Sequence, residues 1–194
     1  MPTYPVVLEH LLVSPGHRYF GRPADGPADV PTHDLDRVQV VAGKGLVGDR
    51  FFAKAAHMDA AVTLIAAEAI EAVADELDLR DDEGRRRVVD PLLTRRNVVI
   101  RGVPLDPLRG TDFDIVAADG SRVTLSGRRP AAPCAWMDRV IAPGAHAAMR
   151  GRGGLRCVPL TDGELVRGPA TLVSPVELDP AAAGLPVRRR TRLP

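Results

Sequence analysis

Phe113-Asp114-Ile115-Val116-Ala117-Ala118-Asp119-Gly120-Ser121-Arg122-Val123-Thr124-Leu125-Ser126 reads as a β-hairpin, with Asp119-Gly120 marking the tight turn between two runs of strand-forming residues. This reading decides the fold class, because the hairpin belongs to a series of short strand signals separated by few helices. Upstream, the apolar run Val6 to Val13 ends at the turn residues Ser14-Pro15-Gly16, and Arg37 to Val41, Asp59 to Ile65 and Asn97 to Ile100 follow as further strands. A loop rich in Pro, Gly and Asp spans Gly21 to Thr32. Downstream come Leu155 to Leu160 and Ala170 to Val173, with Thr161 to Glu164 as a turn between them. Only Ala66 to Leu79 carries a clear helical pattern, with Ala66, Ile70, Val73 and Leu77 on one face. Shorter helical turns are expected at Pro91 to Asn97, at Cys134 to Ile141 and at Ala145 to Met149. The pattern predicts an α+β, β-rich fold: a partly closed β-barrel of mostly antiparallel strands with a few peripheral helices, rather than a doubly wound sheet. One domain is expected over residues 5–175, followed by a loosely ordered C-terminal tail at 176–194 that contains Arg188-Arg189-Arg190.

The 194 residues suffice for one sizeable core. Aromatic residues make up 4% of the chain, so that core must rest on Val, Leu, Ile and Ala. A net charge of +1 argues against a nucleic-acid-binding surface, although arginine is locally clustered. Glu9 and His10 interrupt the first apolar run, so neither a signal peptide nor a membrane span is expected, and a cytoplasmic location follows by default. Cys134 and Cys157 read as free thiols, the second as a core residue of its strand. The histidines lack metal-ligand spacing, and only His57 lies near a stretch of interest. Asp81 to Arg87 is a charge run that reads as a solvated connection.

Chemistry gathers around Arg128-Arg129-Pro130-Ala131-Ala132-Pro133-Cys134-Ala135-Trp136-Met137. Helical spacing after Pro133 would put Cys134 in a first turn, where the helix dipole and nearby guanidinium groups favour thiolate. Arg150-Gly151-Arg152-Gly153-Gly154-Leu155-Arg156 adds glycines that admit a ligand to the backbone and arginine forks that suit an anion. Arg95, Arg96 and Asn97 stand at the mouth of a buried strand. Gly43, Gly45 and Gly48 form a GxGxxG pattern after a strand, which raises a dinucleotide-binding alternative. That alternative needs a helix opening at the glycines, and Asp49 would confront the pyrophosphate.

Gly43 to Arg50, then Val62-Thr63-Leu64-Ile65 with Glu68-Ala69, then Thr94 to Val99, then Pro133-Cys134, then Gly151 to Arg156 resembles, in that order, the MOSC domain family. The family is named for the C-terminal domain of molybdenum-cofactor sulfurases. The resemblance implies a compact barrel that binds the molybdenum cofactor and reduces N-oxygenated or similar small substrates, with Cys134 as metal ligand. It implies Asp49, Arg50, Arg95, Arg96, Asn97 and Arg152 as residues of the cofactor site. The alternative from the same resemblance is a sulfur carrier that holds persulfide on Cys134, supplied by a pyridoxal-phosphate-dependent cysteine desulfurase; an electron-transfer partner goes with the reductase reading. Direct pyridoxal chemistry is not expected, since the two lysines, Lys44 and Lys54, lie in no pyridoxal-binding motif.

Overall fold

The computed structural model describes residues 1–187; the run Arg188-Arg189-Arg190 lies outside the described residues. In chain order the elements are β1 (Thr3–Val13), β2 (His33–Asp34), β3 (Arg37–Val41), β4 (Gly45–Leu46), β5 (Val62–Ala66), α1 (Ala67–Glu76) and β6 (Val98–Arg101). They continue with β7 (Asp112–Ala117), β8 (Arg122–Pro130), α2 (Trp136–Val140), α3 (Ala145–Ala148), β9 (Leu155–Pro159), β10 (Gly163–Val166) and β11 (Gly168–Val173).

The expected hairpin is β7–β8, which pairs antiparallel from Asp112 opposite Ser126 to Val116 opposite Arg122. It sits in a sheet ordered β11-β7-β8-β9-β5-β6-β1, and β1 pairs with β11 as well, so the seven strands close into a barrel. Closure goes further than the partly closed barrel expected. Strand β1 begins at Thr3, ahead of the apolar run, and this length lets Thr3 to Leu8 pair with β11 while Val7 to Leu11 pair with β6. All neighbours are antiparallel except β5 and β6. A parallel pair needs a crossover, and α1 with the 77–97 connection provides it.

Two apolar layers result. Alternate residues of the strands, among them Leu8, Leu64, Ile100, Phe113, Ile115, Leu125, Leu155 and Cys157, fill the lumen. A three-stranded sheet, β10-β3-β4, adds Val38, Val40, Leu46 and Leu165 to the same core. Its strand β10 occupies part of the stretch expected to be a turn. The opposite faces of β5 and β6, through Ile65 and Val99, carry α1, α2 and α3, with Ile70, Val73, Trp136 and Met149 between. The segment 176–187, read from sequence as a loose tail, is tied back at Leu178, which is buried and whose N–H donates to the Tyr4 hydroxyl at 2.7 Å. Further on, Val187 N–H donates to the Gly151 carbonyl at 2.9 Å.

Phe113 fills the lumen with no polar alternative, so Phe113→Ala is expected to lower unfolding stability by about 3–5 kcal/mol in a urea titration. A loss below about 1 kcal/mol would contradict a packed lumen.

Candidate functional site

The site is built on the outer face of the barrel wall, at the ends where β5 and β6 begin. Arg129 on β8 lies opposite Arg156 on β9, and Arg156 lies opposite Thr63 on β5. Thr63 bonds to Asn97 at the start of β6. One row of side chains therefore crosses four strands.

Asn97 is fully buried and uses its whole polar inventory inside the protein. Its Oδ1 accepts from Thr63 N–H at 3.0 Å and Thr63 Oγ1 at 2.8 Å, while Nδ2 donates to Leu12 O at 3.1 Å and Asp49 Oδ2 at 3.2 Å. Asp49 is equally committed: it accepts from Ser14 N–H at 3.3 Å, from Phe51 N–H at 3.0 Å and, more weakly, from Arg50 Nη1 at 3.5 Å. Both side chains are buried, with their polar atoms bonded inside the protein. They bond each other and form a clasp that fixes the loop carrying Arg50.

The arginines at β6 diverge. Pro91–Thr94 forms a 3-10 turn capped by Arg95 in the left-handed region, φ 57°, a conformation uncommon for a residue with a Cβ. This sends Arg95 toward the 14–32 loop, where its guanidinium donates to Gly16 O at 3.1 Å and to Thr32 Oγ1. Arg96 goes the other way. It donates to Gly153 O at 2.8 Å, Ala131 O at 3.0 Å, Ala132 O at 3.1 Å and Thr94 O at 3.3 Å, joining the glycine loop to the segment before Cys134. Gly153 permits this approach, since a Cβ there would meet Ala131 O at 2.3 Å.

Charge is unbalanced around this frame. Loss of water is the main cause that pulls Arg96 down to about 10, with Arg156 adding to it and a Cys134 thiolate working the other way. Arg96 as a whole residue is half-buried, and its guanidinium is bonded to carbonyl oxygens. Arg95 also falls to about 10, by burial and then by Arg50. Arg156 is lowered by burial, Arg129 and Arg50, and Arg50 by burial against the opposing pull of Asp49. Arginines that depress one another's pKa are a cluster short of anions. Arg50 lies over the Phe51 ring at 4.4 Å, and His17 and His57 pack on that ring at 5.4 and 4.4 Å between centroids.

Cys134 is exposed and lies near Arg96 and Tyr19. It is not in a helical first turn as expected: α2 starts at Trp136, and Cys134 O accepts only the turn bond from Met137 N–H at 3.0 Å. Pro130 and Pro133, with Arg96 gripping the carbonyls between them, hold the approach outside the helix, so the dipole argument lapses. Trp136 stacks on Tyr19 at 5.3 Å and is buried in the helical layer. Burial pushes the Tyr19 hydroxyl up to about 12, and it donates to Leu93 O at 2.7 Å. Cys157 is in the lumen core, where burial pushes its thiol up.

Arg152 lies apart from the cluster and pairs with Glu76 at the end of α1, 2.9 Å away. Gly43, Gly45 and Gly48 belong to the β3–β4 hairpin and the turn after it. The next helical piece is a 3-10 turn at Ala55–Ala60, so no helix opens at these glycines to receive a pyrophosphate. Among the described residues no group of three or more His, Cys, Asp or Glu is placed to hold a metal ion, and no helix is long and apolar enough to cross a membrane. Three residues outside the expected cofactor-site set join the site. Arg156 and Arg129 are brought in by strand register, and His17 by a loop that Arg95 folds back.

A YuaD protein from Bacillus subtilis, known from its crystal structure, shares the fold with a TM-score of 0.63 and 18% identity, over 91% of this chain and 99% of that one. The crystal structure of a hypothetical protein aligns with a TM-score of 0.57 and 16% identity, over 94% of this chain and 73% of that one. At such identities the likeness establishes the fold alone. No protein-family model and no curated protein matches the chain.

Two measurements check the site. Asn97→Ala strands two Thr63 donors and removes one donor from the buried Asp49 carboxylate, so it is expected to cost about 2–4 kcal/mol of unfolding stability; a change within about 0.5 kcal/mol contradicts the clasp. His17 is lowered from 6.5 by burial first, then by Arg50, His57 and Arg95. Below 6.5 the unfolded chain therefore binds this proton more tightly, so the stability His17 contributes is present above pH 6.5 and is lost as pH falls. An NMR titration should place its midpoint below 6.5, with Arg50→Gln moving it upward; a wild-type midpoint at or above 6.5 contradicts the assignment.

Proposed function

We propose that this chain is a MOSC-like domain that holds the molybdenum cofactor, with the Cys134 thiolate as metal ligand and the guanidinium cluster facing the cofactor's phosphate. One observation carries the reading: an exposed thiol near Arg96, whose guanidinium is itself close to Arg156 and Arg50, with one carboxylate beside Arg50, Asp49, that is already engaged in internal bonds. The donor set fits the group. Thiolate is a soft ligand suited to a sulfur-rich metal centre, and guanidinium forks suit phosphate. When bound, molybdenum would supply the two-electron redox step on an N-oxygenated or similar small substrate, with electrons from a partner.

The chain's own residues bind and orient. Arg96 fixes the carbonyls of Ala131 and Ala132 and so sets where Cys134 projects. Arg50 and Arg95 lie close to each other with Asp49 as the carboxylate beside them. Tyr19, stacked on the buried Trp136, lies near the thiol. The exposure of Cys134 favours a second reading, a sulfur carrier loaded by a cysteine desulfurase, because an approaching persulfide must reach the sulfur directly.

Protein made in a molybdate-supplied host should contain molybdenum at about one atom per chain by elemental analysis, and Cys134→Ser should lose it. Metal-free protein that takes up persulfide sulfur on Cys134 selects the carrier, and full molybdenum content in Cys134→Ser contradicts the central assignment.

A further inference from the structure

Arg129 and Arg156 stand directly opposite each other on neighbouring antiparallel strands. Like charges in such a pair repel, and strands ordinarily place an opposite charge or a neutral residue there. A break in register creates the pair. Gly127 pairs with Cys157, and the next matched residues are Arg129 and Arg156, so Arg128 is the extra residue of a bulge. Without it, Arg128 would face Arg156. The bulge is anchored by Gly127, where a Cβ would meet Leu108 O at 2.2 Å.

Among the described residues neither guanidinium has a carboxylate or side-chain hydrogen-bond partner, whereas Arg37, Arg85, Arg86, Arg101, Arg152 and Arg167 all pair with acids. Arg156 is half-buried, and Arg96 and Arg50 add further positive charge beside it. Thr63, the next residue in the row, is spent on Asn97 and supplies no negative charge.

We propose that Arg129 and Arg156 form an oxyanion subsite on the outer face of β8–β9 that takes a dianionic, phosphate-class group. Two forks carried on facing residues of adjacent strands can each donate a pair of hydrogen bonds to such a group, and the anion relieves the repulsion between them. The subsite goes beyond the cofactor reading, since it concerns any phosphate monoester, whether the cofactor's own phosphate or that of a separate substrate.

The experiment uses the full chain and inorganic phosphate as probe, followed by titration calorimetry and thermal unfolding in a phosphate-free buffer of fixed ionic strength. Wild type should bind phosphate and unfold at a higher temperature as phosphate is added. Arg129→Gln and Arg156→Gln should each weaken binding roughly tenfold or more. Without phosphate each should unfold at the same or a higher temperature than wild type, because the like-charge pair is gone. Arg37→Gln, which removes an exposed arginine paired with Asp119 and Glu164, should bind phosphate as wild type does. Absence of phosphate binding by wild type, or unchanged binding in both Arg129→Gln and Arg156→Gln, overturns the proposal. Because the probe is phosphate, these outcomes stand apart from whether molybdenum is acquired. If molybdenum-loaded protein no longer takes up phosphate, the cofactor supplies the anion; if it still does, the anion belongs to the substrate.

Discussion

Everything at this site depends on how Asn97 is satisfied. A fully buried carboxamide must place two donors and one acceptor, and here it does so on β1, on β5 and on the Asp49 loop at once. That arrangement fixes the relative positions of three chain segments far apart in sequence. It also holds the Asp49 carboxylate out of solvent, and through Asp49 it delivers Arg50 to the barrel wall. The two preceding arginines take their directions from the same point, one by a left-handed turn and the other along the strand mouth.

The consequence is electrostatic. Withdrawing several guanidinium groups from water without matching carboxylates costs stability, and the lowered pKa of Arg95 and Arg96, each about 10, is the signature of that cost. Carbonyl oxygens offset part of it for Arg96, which meets four of them. They do so at Gly153 and the 131–132 segment, so the same bonds that accommodate the charge also set the approach to Cys134. A protein that needed these arginines only for packing could pair them with acids, as it does for Arg101 with Glu9 and Glu71.

The strand signals, the 113–126 hairpin and the helix at 67–76 were legible in the sequence because hydrophobic periodicity and Asp-Gly turn chemistry are local. Closure of the barrel was not. It depends on residues 3–8 pairing with β11, a long-range pairing that no local apolar pattern announces. The site was legible in part. Cys134, Arg95 and Arg96 were picked out by residue type and neighbourhood and Arg50 by the family resemblance, but Asn97 and Asp49 bond each other, which sequence separation hides. Arg152 looked equivalent to Arg156, yet Arg152 lies in the turn before β9 and pairs with Glu76, while Arg156 lies on β9 in the cluster. A bulge at Arg128 decides which of two adjacent arginines faces Arg156, and bulges leave little trace in composition.

The central claim is that Cys134 is a reachable thiol in a field of uncompensated guanidinium groups. Its most direct test is the rate of Cys134 alkylation by anionic iodoacetate relative to neutral iodoacetamide, read against the same ratio for free cysteine. The field should raise the ratio roughly tenfold at low ionic strength and lose that advantage as salt is added. A ratio equal to that of free cysteine and insensitive to salt would contradict the claim.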